Sequence, residues 1–465
     1  MNAQTSSVLA RIDADLDQSL ERLFALLRIP SISTDPAYKG DCASAAAWLK
    51  ADLEALGFDA TVRPTPGHPM VVAHQKEAGN GPHVLFYGHY DVQPVDPLEL
   101  WSAPPFEPAL REDETGARII TGRGSSDDKG QLMTFIEACR AWKAVTGALP
   151  IKVSILLEGE EESGSPSLRP FLDANRDELK ADVAMICDTG MWDRDTPAIT
   201  TMLRGLVGEE VEITCASRDL HSGFYGGAAR NPIHVLSTIV AGLHDADGRV
   251  TLPGFYDGVP ELPAEVQEQW RNLPFEESAF LGEIGLADPA GERGRSVLEQ
   301  VWSRPTCEAN GITGGYTGEG FKTVIASKAS SKISFRLVGQ QDPDKIRAAF
   351  RAYVRSKVPA DCSVTFKEHG GSPAISLPVD GEWLGLARQA LGAEFGRDTA
   401  LIGCGGSIPI AGDFKRMLAM DSLMIGFGLS DDRIHSPNEK YDLASFHHGI
   451  RSWARIIGAF AAARG

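Results

Sequence analysis

Four short apolar runs, VVAH from Val71, HVLFYGH from His83, VSILLEG from Val153 and DVAMICD from Asp182, recur between stretches of helical texture. Runs this continuous belong to strands buried on both faces. They predict an α/β fold with a mainly parallel central sheet and helices on both faces. Open sheets of this kind collect their ligands at the carboxyl ends of the strands, and the polar residues of interest fall there.

After about Met202 the texture changes. Val211, Ile213 and Cys215 alternate with Glu210, Glu212 and Thr214, and Ile333, Phe335 and Leu337 repeat the pattern, as in strands with one wet face. A helix is expected after Asn231-Pro232 and another after Asp342-Pro343, each with a cap residue and a proline in the first turn. Past about Pro378 the first texture returns, with a helix around Leu384 to Phe395, the run LMIGFG from Leu423 and a last helix from Ala444 to Ala463. The expected organisation is a catalytic domain of residues 1–203 and 379–465, interrupted by an inserted α+β domain of residues 204–378. The segment from Pro253 to Glu299, rich in Pro, Gly and acids, is expected to be irregular surface.

Charge narrows the partners. A net charge of −18 repels nucleic acid and anionic membrane surfaces, so neither is expected as a partner and a small substrate is. No apolar stretch approaches the ~18 residues of a membrane helix, and the first residues lack the basic and apolar regions of a signal peptide. Seven cysteines, odd in number and never spaced C-x-x-C, argue against a disulfide framework and a cysteine zinc site. A cytoplasmic location is expected.

His89 and Asp91, two apart in YGHYDVQP, project to one side of a strand end. A metal-binding histidine normally gives its other ring N–H to an acceptor such as a carboxylate, which suits Asp91. GRGSSDDKG, residues 122–130, lacks the G-K-[ST] of a phosphate loop; Asp127 is instead a candidate bridge between two metal ions, with Asp128 expected to cap the following helix. In LEGEEESGS, residues 157–165, neighbouring carboxylates at a strand end can divide two tasks, one binding metal and the next taking a proton from water. Asp188 ends another buried strand, and His435 follows the run at Leu423. Each alone has an ordinary reading as loop or surface. Together they offer N and O donors to first-row divalent ions, and the three carboxylates suit two ions better than one.

The ordered set HYD, GRGSSDDKG, EGEEESGS, CDTG, DLHSGFYGG, SFRLV, GGSIP and RIHSPNEKY closely resembles the di-zinc M20 metallopeptidase family, which includes carnosinase, cytosolic non-specific dipeptidase, aminoacylase and succinyl-diaminopimelate desuccinylase. The dipeptidase branch is the nearest. The resemblance implies that Asp127 bridges two zinc ions, His89 and Asp188 holding one and Glu162 and His435 the other, with manganese or cobalt as alternatives. It implies an aminopeptidase-like di-metal catalytic domain, Glu161 as general base, Asp91 as the orienter of His89, and a homodimer formed through the inserted α+β domain, which would serve as lid and dimerisation domain. His221 would then reach the partner's site to stabilise the oxyanion, and Arg336, Thr323 and Ser407 would bind substrate, the arginine holding its carboxylate. Two departures concern the substrate's amino end. Cys404 and Gly405 stand where the branch often has an acid, and TVIA ends at Ala326 where a proline is usual. The expected activity is metal-dependent hydrolysis of dipeptides or similar small peptides. The alternatives are an N-acyl- or N-carbamoyl-amino-acid amidohydrolase and a non-catalytic metal or peptide binder.

Overall fold

The structure, a computed structural model, describes residues 3–75, 81–406 and 408–463. Two compact units emerge: Met1–Thr201 with Leu377–Leu401 and Asp413–Gly465, and Met202–Ser376 with Ile402–Gly412.

In the first unit the four apolar runs become the strands Met70–Gln75, His83–His89, Lys152–Glu158 and Val183–Ile186. The sheet order is Phe58–Arg63, Met70–Gln75, Lys152–Glu158, His83–His89, Val183–Ile186, Ser422–Met424, Ala198–Leu203. Lys152–Glu158, His83–His89, Val183–Ile186 and Ser422–Met424 pair parallel in succession, whereas Phe58–Arg63 with Met70–Gln75, Met70–Gln75 with Lys152–Glu158, and Ser422–Met424 with Ala198–Leu203 pair antiparallel. The sheet is therefore mixed, and lack of alternation marks burial rather than direction: the run in Met70–Gln75 pairs antiparallel on both sides. Helices Lys129–Thr146 and Leu443–Ala462 pack together beside it. Phe86 stacks on Phe135 at 4.0 Å between centroids, and Trp453 meets both rings edge-on. The first of these helices stops at Gly147, whose φ of 83° lets its N–H bond to the Lys143 carbonyl.

The second unit carries an antiparallel sheet ordered Thr306–Gly314, Lys328–Leu337, Gly205–Thr214, Ser363–Ser372. Burial alternates strictly along Gly205–Thr214, as the sequence period requires. Its apolar face packs Val207, Phe335 and Ile333 against Leu236 of helix Pro232–Ala241 and Phe350 of helix Pro343–Lys357. Both helices start as read: Asn231 accepts from the Ile233 N–H, and Asp342 from Asp344 and Lys345.

The segment from Pro253 to Glu299 differs from expectation. It holds helices Ala264–Asn272 and Glu277–Glu283. Val266 and Trp270, one helical turn apart, bury a common face that the abundance of Pro, Gly and acids conceals in the sequence.

Candidate active site

Three adjacent parallel strands end together, and each delivers candidates. His89 is the last residue of its strand, Asp188 lies two residues beyond Val183–Ile186, and Glu161 and Glu162 open a 3-10 turn just after Lys152–Glu158. Asp127 precedes helix Lys129–Thr146, and His435 sits in the loop after Ser422–Met424, with φ of 62°. The pattern is the one expected of carboxyl-end sites in α/β sheets.

His89 Nε2 lies 3.0 Å from Asp127 Oδ1 and 4.0 Å from Asp188 Oδ2. His435 Nε2 lies 3.0 Å from Asp127 Oδ2 and 3.2 Å from Glu162 Oε2. These are two donor triads, His89–Asp127–Asp188 and Asp127–Glu162–His435, each with its ligand atoms within 4.8 Å of one another and sharing one carboxylate. The donor chemistry, imidazole nitrogen and carboxylate oxygen around a shared aspartate, fits a pair of first-row divalent cations.

The electrostatics agree. Burial pushes the Asp188 carboxyl well above its usual range, with Asp127, Glu161 and Glu162 adding to the effect. Burial also acts on Asp127, but hydrogen bonds with His435 and His89 hold it well below the ordinary value. Its contacts with Asp127 and Glu162 push the His435 imidazole up to about 10. A cluster of acids this crowded calls for compensating positive charge, which cations supply more fully than two imidazoles. Glu161 is raised by burial and by Glu162, Asp91 and Asp127, the direction a general base needs to approach neutrality.

Asp91 has a wider role than its spacing suggests. Its backbone carbonyl lies 3.1 Å from His89 Nδ1 and its carboxylate 3.4 Å from the same atom. The carboxylate also accepts the backbone N–H groups of Glu161 and Glu162, at 3.3 and 3.0 Å. Asp128 differs from expectation: its side chain makes no cap and accepts the His89 N–H instead, at 3.1 Å.

Other supports went unread in the sequence. Gln93 donates to Glu162 Oε2 at 2.8 Å. Glu439, fully buried, accepts the N–H groups of Gly124, Ser126 and Asp127 and pairs with buried Arg123 at 2.8 Å. Glu160 accepts from His68 and Ser167. A Cβ at Gly67 would stand 1.3 Å from its Oε1, so any larger residue there must displace this carboxylate. Gln93 lies in HYDVQP and Glu439 in RIHSPNEKY, so the motifs held the only available signal.

The remaining candidates belong to the second unit. His221 is exposed, accepts the Gly223 N–H at 3.0 Å and lies 4.6 Å from the Phe224 ring. Thr323 is exposed, its carbonyl accepting from Ser222, and Arg336 lies on strand Lys328–Leu337 opposite Leu206 and Thr306. Ser407 lies outside the described residues.

Residues 85–459 match the sequence model of Peptidase family M20/M25/M40. The chain is 28% identical over 477 residues to the Cys-Gly metallodipeptidase DUG1 of Saccharomyces cerevisiae, covering 98% of each. It is 30% identical to the protein of the same description from Schizosaccharomyces pombe, covering 96% of each. Human Beta-Ala-His dipeptidase is 29% identical over 401 residues, 84% of this chain and 77% of the relative. Among solved structures, human carnosine dipeptidase 1 superposes with a TM-score of 0.78 at 26% identity, over 99% of both chains. An M20-family metallo-carboxypeptidase from Sulfolobus solfataricus reaches 0.80 at 28%, over 96% of this chain and 99% of that one.

Proposed function

The chain belongs to Peptidase family M20/M25/M40, and from that premise we propose that it is a dipeptidase whose site holds two divalent cations. The observation that carries the reading is the pair of donor triads sharing Asp127, with Glu161 beside them. Dipeptidases of both descriptions, Cys-Gly and Beta-Ala-His, align along most of the chain.

His89 and Asp188 would hold one cation and Glu162 and His435 the other, Asp127 touching both; zinc suits the donors, as do manganese and cobalt. Bound there, such cations supply Lewis acidity to the scissile carbonyl and to the attacking water. Glu161 removes the water's proton and returns it to the leaving amine nitrogen. Asp91 keeps the His89 ring and the Glu161 backbone in register. His221 donates to the developing oxyanion, and the planar fork of Arg336, with Thr323 and Ser407, takes the substrate carboxylate.

A homodimer through the second unit, with His221 serving the partner's site, completes the reading. Mixing His221→Ala with Glu161→Gln protein should then regain activity through hybrid dimers; none despite subunit exchange sinks the trans role. The seven free thiols suit the reducing cytoplasm, and no helix among the described residues is long and apolar enough to cross a membrane.

The deciding experiment assays dipeptides beside N-acetyl and N-carbamoyl amino acids, with zinc, manganese and cobalt in turn. Turnover of dipeptides, with Glu161→Gln at least ~100-fold slower, supports the assignment. Turnover of blocked substrates alone, which Cys404 and Gly405 in place of an acid would favour, overturns it.

A further inference from the structure

Two thiols in the second unit face one another. Cys362 Sγ lies 2.9 Å from Cys215 Sγ, and both side chains are half-buried. The register explains the meeting. Ser363 pairs with Thr214 in the antiparallel ladder, so the next pair outward is Cys362 opposite Cys215.

The Cys215 N–H bonds to the carbonyl of Ser327, just before the neighbouring strand Lys328–Leu337, and the Cys362 N–H bonds back to the Pro359 carbonyl. Neither N–H reaches across, which makes this a non-hydrogen-bonded pair, with Cα atoms typically about 4.5 Å apart. That spacing lies at the short end of the range a disulfide spans, roughly 4.4–6.8 Å. Of the other cysteines, Cys42, Cys139, Cys187 and Cys307 are buried and Cys404 is half-buried.

We propose that Cys215 and Cys362 form a redox-modifiable dithiol, closed to an intrachain disulfide by small-molecule disulfides of the glutathione-disulfide type and reopened by thiols. The Cys362 thiolate attacks one sulfur of the oxidant, forming a mixed disulfide and releasing one thiolate. The Cys215 sulfur, losing its proton to solvent, then attacks the Cys362 sulfur and expels the second thiolate, which takes up a proton. Two electrons pass from the protein thiols to the oxidant, so one disulfide becomes two thiols. Burial and the neighbouring Cys362 push the Cys215 thiol up, and the two steps balance equally with the roles of the sulfurs exchanged.

Half-burial makes the pair reachable, and exposed cross-links are the labile, reversible kind. The loop closed is long, 147 residues, so the unfolded chain is strongly constrained. The link also anchors the root of the segment leading from Cys215 to His221. It draws on the geometry of the second unit alone and is independent of the hydrolase assignment.

The test uses the full-length reduced protein, exposed to oxidised glutathione, then alkylated and mapped by mass spectrometry. The expected result is loss of two of the seven thiols, a linked peptide pair containing Cys215 and Cys362, reversal by dithiothreitol, and a Tm higher by roughly 2–8 °C. Cys215→Ser should instead stop at glutathione on Cys362, without the Tm rise. Both cysteines recovered singly alkylated or separately capped by glutathione, or a link to another cysteine, overturns the proposal, and the unsubstituted protein alone suffices to decide.

Discussion

Asp91 touches both halves of the proposed chemistry, the ring of a metal-binding candidate and the backbone of the candidate base. Asp91→Asn keeps the volume but turns one oxygen acceptor into a donor facing N–H groups. We expect kcat or metal affinity to fall about 10–100-fold with little change in Tm. Unchanged values for both, measured by steady-state kinetics and metal titration, would remove its positioning role. At this scale the sequence was legible where local geometry dictates direction: two residues apart on a strand means one side, so His89 and Asp91 could be paired on sight. Gln93 and Glu439 escaped because their partners are 69 and about 315 residues away along the chain. Asp128 misled because a helix start invites a capping aspartate, whereas here the competing donor, the His89 N–H, comes from another element.

Helices Glu382–Phe395 and Leu443–Ala462 are joined by a buried carboxylate. Glu394 receives His448 at 3.0 Å and Arg451 and Arg455 at 2.6 Å each, three residues on one helical face. Burial alone would raise its pKa, but these partners hold it down at about 2. A folded pKa below the unfolded value contributes stability above about pH 4.5, lost as pH falls from there toward 2. The Tm gap between the native protein and Glu394→Gln should therefore be wide near pH 7 and close by about pH 2. A gap independent of pH would mean the carboxylate acts by packing only. Element starts were legible wherever cap and proline coincide, as at Asn231 and Asp342. Helix Ala264–Asn272 was not, because its start carries no such cap and only two buried residues mark its inner face.

For the whole molecule, the five proposed ligands come from residues spread between 89 and 435, so bound cations cross-link distant segments. Chelation should abolish turnover and also lower Tm by several degrees, because Asp188, Glu161 and Glu162 then repel one another in a buried site. Calorimetry showing an unshifted Tm in a fully chelated, inactive sample would restrict the ions to catalysis. The hydrophobic texture changes near Met202 because a strand buried on both faces there gives way to one with a wet face, and the two cannot share a pattern. The mixed pairing at the sheet's flanks was hidden, because apolar runs record burial and say nothing of direction.

The sheet order has a consequence in time. Ser422–Met424 lies between Val183–Ile186 and Ala198–Leu203, and His435 and Glu439 follow it. A ribosome must therefore release the chain beyond residue 424 before the gap in the sheet is filled. Until then the triad containing His435 cannot form, and a chain arrested short of residue 422 should bind no more than one divalent cation in equilibrium dialysis.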